Sequence, residues 1–236
     1  MFTTNPDLLD HAAELLSRHT GVSWILGGAG SGKSTLCAEL SREFSIPTYN
    51  MDEHIYGAYF ARYRPDRHPA NTAWAAAENG MQWLLDMTWD EFDAFNRAAA
   101  AEYLDLFAAD VAETAPEQRL LVDGGLYHPA LLAEVLPRER IASLAAPHVD
   151  SLAVWTGTSE RLEMKGMMEQ LRDPEHAWRT FLEFDRNITR TIAEEAAAIG
   201  SPVVLRSADD DVGRVAARVA AALSLGRQTN ERGAAN

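Results

Sequence analysis

The residues best equipped for chemistry stand together near the start of the chain, Gly27-Gly28-Ala29-Gly30-Ser31-Gly32-Lys33-Ser34-Thr35. They complete the pattern G-x-x-x-x-G-K-[ST]. Glycines let successive backbone N–H groups turn inward around an anion, and a helix starting behind them adds free donors and a positive dipole end. Lys33 brings a compact positive charge to the outer phosphates, and the Ser34 hydroxyl is a ligand for Mg²⁺. The pattern has this meaning only between a strand and a helix. The apolar run Val22-Ser23-Trp24-Ile25-Leu26 and the helical stretch Leu36-Cys37-Ala38-Glu39-Leu40 supply both. The bland alternative is a Gly/Ser-rich turn that happens to precede a lysine. The full pattern in its required context argues instead for a bound nucleoside triphosphate.

Two acids extend the site. Asp123 ends the apolar run Leu120-Leu121-Val122 and precedes Gly124-Gly125, so its carboxylate can serve the metal beside Ser34. An Asp-Gly turn at a strand end is the structural alternative. Asp52 follows a short run, Ile46-Pro47-Thr48-Tyr49-Asn50-Met51. A carboxylate there faces an acceptor group and can take its proton, orient it, or join the metal shell. Its alternative is as cap of the next segment. His54 reads as a local hydrogen-bonding residue.

Arginines form a third group. Arg161, Lys165 and Arg172 share one helical face, and Arg179, Arg186 and Arg190 share another. A helical lid over residues 158–198 could use such charges on a transferring phosphoryl group, with Arg172 and Arg186 the leading candidates. Solvated faces balanced by neighbouring glutamates are the alternative. Arg62, Arg64 and Arg67, interleaved with Tyr59, Phe60 and Tyr63, could bind an anionic or planar acceptor, and the acidic helical stretch after them could favour a cationic one. Ordinary surface charge would explain both.

The elements that must hold these residues alternate. Asn5 caps a first helix with Pro6 at its first position. A strand, the glycine loop and a helix to about residue 44 follow, and the second strand covers 46–51. Residues 74–87 read as helical, and Thr88-Trp89-Asp90-Glu91 is a capping box opening a long helix over 92–112. The third strand ends at Asp123, and a short helix covers 129–136. The fourth strand is taken as 141–145, with 152–155 a competing short apolar run that periodicity cannot rule out. Residues 158–198 form two helices broken at Asp173-Pro174; a strand over 202–206 and a helix over 212–225 close the pattern. The spacing predicts an α/β domain, three layers deep, with a mostly parallel sheet and helices on both faces. Ligands then sit beyond the C-terminal strand ends, where the glycine loop, Asp52 and Asp123 converge. One domain spans 1–226, with an acceptor insertion over about 54–118; the small, polar tail 227–236 is expected to be disordered.

Composition sets limits. The formal net charge of −14 argues against general affinity for nucleic acid or anionic membrane. Cys37 is the only cysteine, which excludes an intrachain disulfide and reads as a small core residue. There is no long apolar run and no secretion-like N-terminus, so the expected setting is cytoplasmic, with the chain a monomer or homodimer.

On the glycine loop Gly27 to Thr35, the acid Asp52, the run Val122-Asp123-Gly124 and an arginine-bearing helical segment before the last strand, the chain resembles the phosphate-loop small-molecule kinases. These are the adenylate, shikimate and gluconate kinase group and, more distantly, the zeta-toxin kinases. The resemblance implies a five-stranded parallel sheet, ATP·Mg²⁺ as donor, and γ-phosphoryl transfer to a small acceptor, most simply a hydroxyl. It implies that Lys33 contacts the β- and γ-phosphates, Ser34 and Asp123 serve the metal, and Asp52 serves the acceptor. The stretch between Asp52 and Asp123 is much longer than in compact members, and no substrate signature is recognisable in it. A nucleoside or nucleotide kinase and an ATP-dependent regulatory switch are the competing expectations.

Overall fold

Every strand in this chain is short and followed by a helix, the order expected of parallel strands joined by helical crossovers. A computed structural model describes residues 2–226, and the predicted disordered tail lies outside them. After α1 (Pro6–Leu16) come β1 (Val22–Gly27), α2 (Lys33–Phe44), β2 (Thr48–Asn50) and α3 (Met51–Ile55). The insertion holds a 3₁₀ turn at Ala58–Arg62, α4 (Pro69–Ala75), α5 (Gly80–Leu85) and α6 (Trp89–Ala112). Then follow β3 (Leu120–Asp123), α7 (Pro129–Val135), β4 (Ile141–Ala145), α8 (Ser151–Thr156), α9 (Ser159–Met168), α10 (Pro174–Ile199), β5 (Val203–Leu205) and α11 (Val212–Ala222).

The five strands form one sheet in the order β2-β3-β1-β4-β5, all neighbours parallel. Side chains alternate between its faces. Val22, Trp24, Leu26, Val122 and Ile141 point into a core closed by α1, α6, α7 and α10. Ile25, Leu121, Ala142 and Leu144 point the other way, against α2 and α11. The expected α/β class, five-stranded parallel sheet and two helical layers are therefore present.

Local signals placed most boundaries. Asn5 accepts from the Asp7 N–H with Pro6 at the start of α1. Thr88 and Glu91 form the reciprocal capping box of α6, and Asp173 caps α10 ahead of Pro174. Residues 141–145 are the fourth strand, as expected, and 152–155 fall in α8, capped by Asp150. Two expectations change. The stretch 74–87 is two helices: α4 starts at Pro69, and Asn79 caps a fresh start at Gly80. Finally, β2 ends at Asn50, whose side chain accepts from the Glu53 N–H and caps α3, so Asp52 lies in the first turn of a helix and is neither a strand end nor a cap.

α6 is buried nearly all round, including Glu102 and Asp105. Its acids are satisfied internally. Glu102 accepts from the Ala70 and Asn71 N–H groups, each at 2.8 Å. Asp105 takes Arg67 and His68, and Asp110 takes the Tyr49 hydroxyl and Arg62, each at 2.6 Å. The acidic helix is thus the spine to which the insertion is tied.

Candidate active site

Because all five strands run one way, their C-terminal ends open on one edge, and each contributes to it. β1 runs into the glycine loop. Gly30 and Gly32 have φ of 76° and 89°, left-handed values that a side chain would strain. Gly32 then starts α2 with no side-chain cap, leaving the first N–H groups of the helix free. The Ser31 N–H donates to Gly28 O at 3.1 Å, closing the loop into a cup. The hydroxyls of Ser34 and Thr35 lie on the exposed side of the first turn of α2.

β3 and α3 bring the acids. Gly124, with φ 64°, turns the chain sharply after Asp123. A Cβ on Gly124 would lie 2.4 Å from Lys33 Cε and 3.3 Å from both Lys33 Nζ and Asp52 Oδ2. The lysine amine and the Asp52 carboxylate therefore both border Gly124, near enough for the Lys33 charge to act on the acid. That backbone is held on both sides: Gly124 O accepts from Trp24 Nε1 at 2.9 Å, and its N–H donates to Ile25 O at 3.1 Å. Burial pushes the Asp52 carboxyl above its ordinary value; Lys33 offsets part of this and the Asp123 charge adds to it. Asp123 is buried, and its Oδ1 has no hydrogen-bond partner. Cys37 packs beneath, buried as expected, and that burial together with the Asp123 charge drives its thiol far above the ordinary range.

Sequence reasoning missed two contributors. Arg206, directly after β5, donates from Nη1 to Gly30 O at 3.3 Å and to Ser31 O at 2.9 Å, pinning the loop from outside. Its place just past a strand end was the available signal. Thr189 on α10 touches the loop so closely that a Cβ on Gly28 would lie 2.2 Å from its Oγ1; nothing in the local sequence marked it.

Two cavities flank the loop. One, of about 150 Å³, is lined by Gly32, Thr35, Leu144, Arg206, Asp210 and Val212 among others. The second, of about 220 Å³, is bounded by Gly28, Ala29, Val149, Asp150, Arg186 and Thr189. Larger hollows of about 580 and 610 Å³ lie elsewhere, between α1 and α7 and around Arg172; size does not mark the site, and the position of the loop does.

The two lid candidates part company. Arg186 faces the loop cavity and makes no ion pair or hydrogen bond among the described residues. Arg172 is paired with Asp86 at the end of α5, in a hollow lined by Glu78, Asn79, Gln82 and Trp83, so the structure does not bring it to the loop. The other basic residues are engaged locally: Arg161 and Lys165 lie over Trp155 and Trp178, Arg179 meets Glu175 O, and Arg190 meets Asn187. His54 bonds Asn50 O at 2.8 Å and stacks on Tyr49, a local role.

A Mg²⁺ held through substrate phosphates needs only one or two protein carboxylates. The unpartnered Asp123 oxygen and the exposed Ser34 hydroxyl suit it, while the described residues contain no cluster that would hold a metal by itself. No protein-family model and no curated protein matches this sequence.

Proposed function

We propose that the protein is an ATP·Mg²⁺-dependent phosphotransferase that moves the γ-phosphoryl group to a hydroxyl of a small molecule. One observation carries the reading: Lys33 and Asp52 both border Gly124, directly after buried Asp123, and the Lys33 and Asp123 charges both act on the Asp52 carboxyl. The sheet order β2-β3-β1-β4-β5 supports it, because that order sets the loop strand between the strand bearing Asp123 and β4.

The loop N–H groups and Lys33 bind and orient the phosphates. Bound through Ser34 and Asp123, Mg²⁺ would supply charge neutralisation at the β- and γ-oxygens. Arg206 keeps the loop carbonyls turned away from the anion. The cavity walled by Leu144, Val212 and the Arg206 guanidinium offers apolar faces and a flat cation to a purine base. Arg186 adds an unpaired charge on the phosphate side. Asp52, with its raised pKa and Lys33 neighbour, accepts the proton of the incoming hydroxyl.

Incubation of the protein with ATP and chemically grouped acceptors, read by mass spectrometry for a phosphoryl adduct, tests the reading. Lys33→Ala should abolish adduct formation with the fold intact. Asp52→Asn should slow transfer by about 10²–10⁴-fold, the usual worth of a general base, with ATP affinity nearly unchanged. Full turnover in Lys33→Ala, or weakened ATP binding with an unchanged rate in Asp52→Asn, would refute it.

A further inference from the structure

Beside Asp52 stands an aromatic face with no part in binding phosphate. Tyr56 lies one helical turn after Asp52, its N–H donating to Asp52 O at 2.9 Å, so the two side chains rise on the same side of α3. Its ring is 69% exposed, and that of Phe60 42%. Trp74 on α4 joins them, edge-on to Tyr56 with centroids 6.0 Å apart and 5.1 Å from Phe60. Tyr63 backs Phe60 at 5.6 Å and is itself backed by Tyr103 on α6. Single exposed aromatics are ordinary; a contiguous set bordering a candidate reacting acid is a recognition surface.

Charge narrows what it recognises. An anionic acceptor requires free cations, and the four arginines of the insertion are all committed. Arg62 holds Asp110, Arg64 holds Asp66 and Arg67 holds Asp105, each at 2.6 Å. Arg97 bridges Asp93 and Glu195 at 2.7 and 2.6 Å. Nor do the buried acids of α6 stand free for a cation, since Glu102, Asp105 and Asp110 are consumed by the same network. What the acceptor side presents is π-surface.

We propose that Tyr56, Phe60 and Trp74 form a subsite for an uncharged, planar aromatic molecule bearing a hydroxyl group, held against the rings with that hydroxyl toward Asp52. The direction toward Asp52 rests on the phosphotransferase reading; the ring contact does not. In the transfer, the acceptor oxygen bonds to the γ-phosphorus, the bond from that phosphorus to its bridging oxygen breaks with ADP leaving, and the hydroxyl proton passes to Asp52. Nucleotide monophosphates and sugar acids, which need cations, are disfavoured.

Saturation-transfer NMR and equilibrium dialysis with 2-naphthol and its saturated, non-planar analogue decahydro-2-naphthol test the subsite without ATP. The planar probe should bind the more tightly. Tyr56→Ala should weaken it about tenfold, the equivalent of about 1.4 kcal/mol and within the range of one lost ring contact. Tyr56→Phe, which keeps the ring, should bind like the parent. Both changes fall on an exposed residue, and circular dichroism checks the fold. Equal binding of the two probes, no binding of 2-naphthol, or binding untouched by Tyr56→Ala overturns the subsite. Phosphoryl adducts on glycerol or amines but never on naphthol would overturn it while the phosphotransferase reading stood. Ring-dependent naphthol binding in a protein that does not bind ATP would sink that reading and leave the subsite.

Discussion

Gly124→Ala probes the contact that the whole site depends on. At φ 64° an alanine pays the left-handed penalty, about 1–2 kcal/mol. Its Cβ would stand 2.4 Å from Lys33 Cε, so one of the two must give way. The backbone is fixed by Trp24 Nε1 on one side and Ile25 O on the other, whereas Lys33 is the far end of a flexible chain. The lysine therefore moves, and the strain left in the fold is mostly that of φ. The thermal midpoint should fall by about 2–8 °C, from the usual scaling for a domain of this size. Phosphoryl transfer should fall far more than stability, toward the level of Lys33→Ala, because the displaced amine no longer reaches the phosphates. The double variant Lys33→Ala/Gly124→Ala separates the effects: with the clash removed, the stability cost of Gly124→Ala should persist, while its effect on ATP binding disappears. Calorimetric titration with ATP and thermal unfolding supply both readings. Unchanged ATP affinity and turnover in Gly124→Ala would show that Lys33 does not work from this position, and the reasoning would fail.

Arg206→Met should loosen the loop by removing two charge-assisted hydrogen bonds to its carbonyls, weakening ATP about tenfold in a titration with little change in fold. Thr88→Ala removes the capping box of α6 and should cost about 1 kcal/mol in urea unfolding while leaving ATP affinity intact. Acid should unfold the protein through Asp105 and Glu195. Burial alone would raise both carboxyls, but His68 and Arg67 on one, and His128, the Ala130 N–H and Arg97 on the other, outweigh it and hold each at about 2. Groups lowered in the fold contribute stability fully above their unfolded values, 3.8 and 4.5, and lose it as pH falls toward about 2. Urea midpoints should therefore drop between pH 5 and 2.5, and Glu195→Gln should flatten that slope.

The parts legible in sequence are those written in local chemistry. A glycine loop between an apolar run and a helix, a threonine three residues ahead of a glutamate, and a proline behind an aspartate each fix a turn or a cap without help from distant residues. The two candidate fourth strands were not separable because both are short and apolar; Asp150, capping the helix that takes the second, was the overlooked mark. The arginines 62 and 67 read as acceptor contacts because their partners Asp110 and Asp105 stand some forty residues away in sequence on a different helix, whereas Arg64 meets Asp66 only two residues on. Distance in the chain also hid Thr189, which meets Gly28 only once α10 has packed across the sheet edge. Asp52 was found for a partly mistaken reason: the residue is where it was expected, but a helix turn directs it.

The same packing changes how the basic segment can act. α10 is a single helix of 26 residues, fixed toward its C-terminal end. There Glu195 accepts from Arg97 at 2.6 Å and from the Ala130 N–H at 3.0 Å, and its other neighbour is His128 at 3.3 Å. Ile192 and Ala196 are buried around that anchor. Thr189 and Arg186 stand six and nine residues before it, about 9 and 14 Å along a continuous helix. Delivering Arg186 to the phosphates by lid closure would require that helix to break or the anchor to come apart, stripping Glu195 of Arg97, His128 and the Ala130 N–H at once. Arg186 is therefore a fixed feature of the loop cavity, set by the same helix that presses Thr189 onto Gly28. α8 and α9, joined at Gly157, pack on the same helix through Trp155 against Phe181 at 4.8 Å and Lys165 over Trp178. Within the stretch read from sequence as one lid, the arginine facing the loop therefore belongs to the frame.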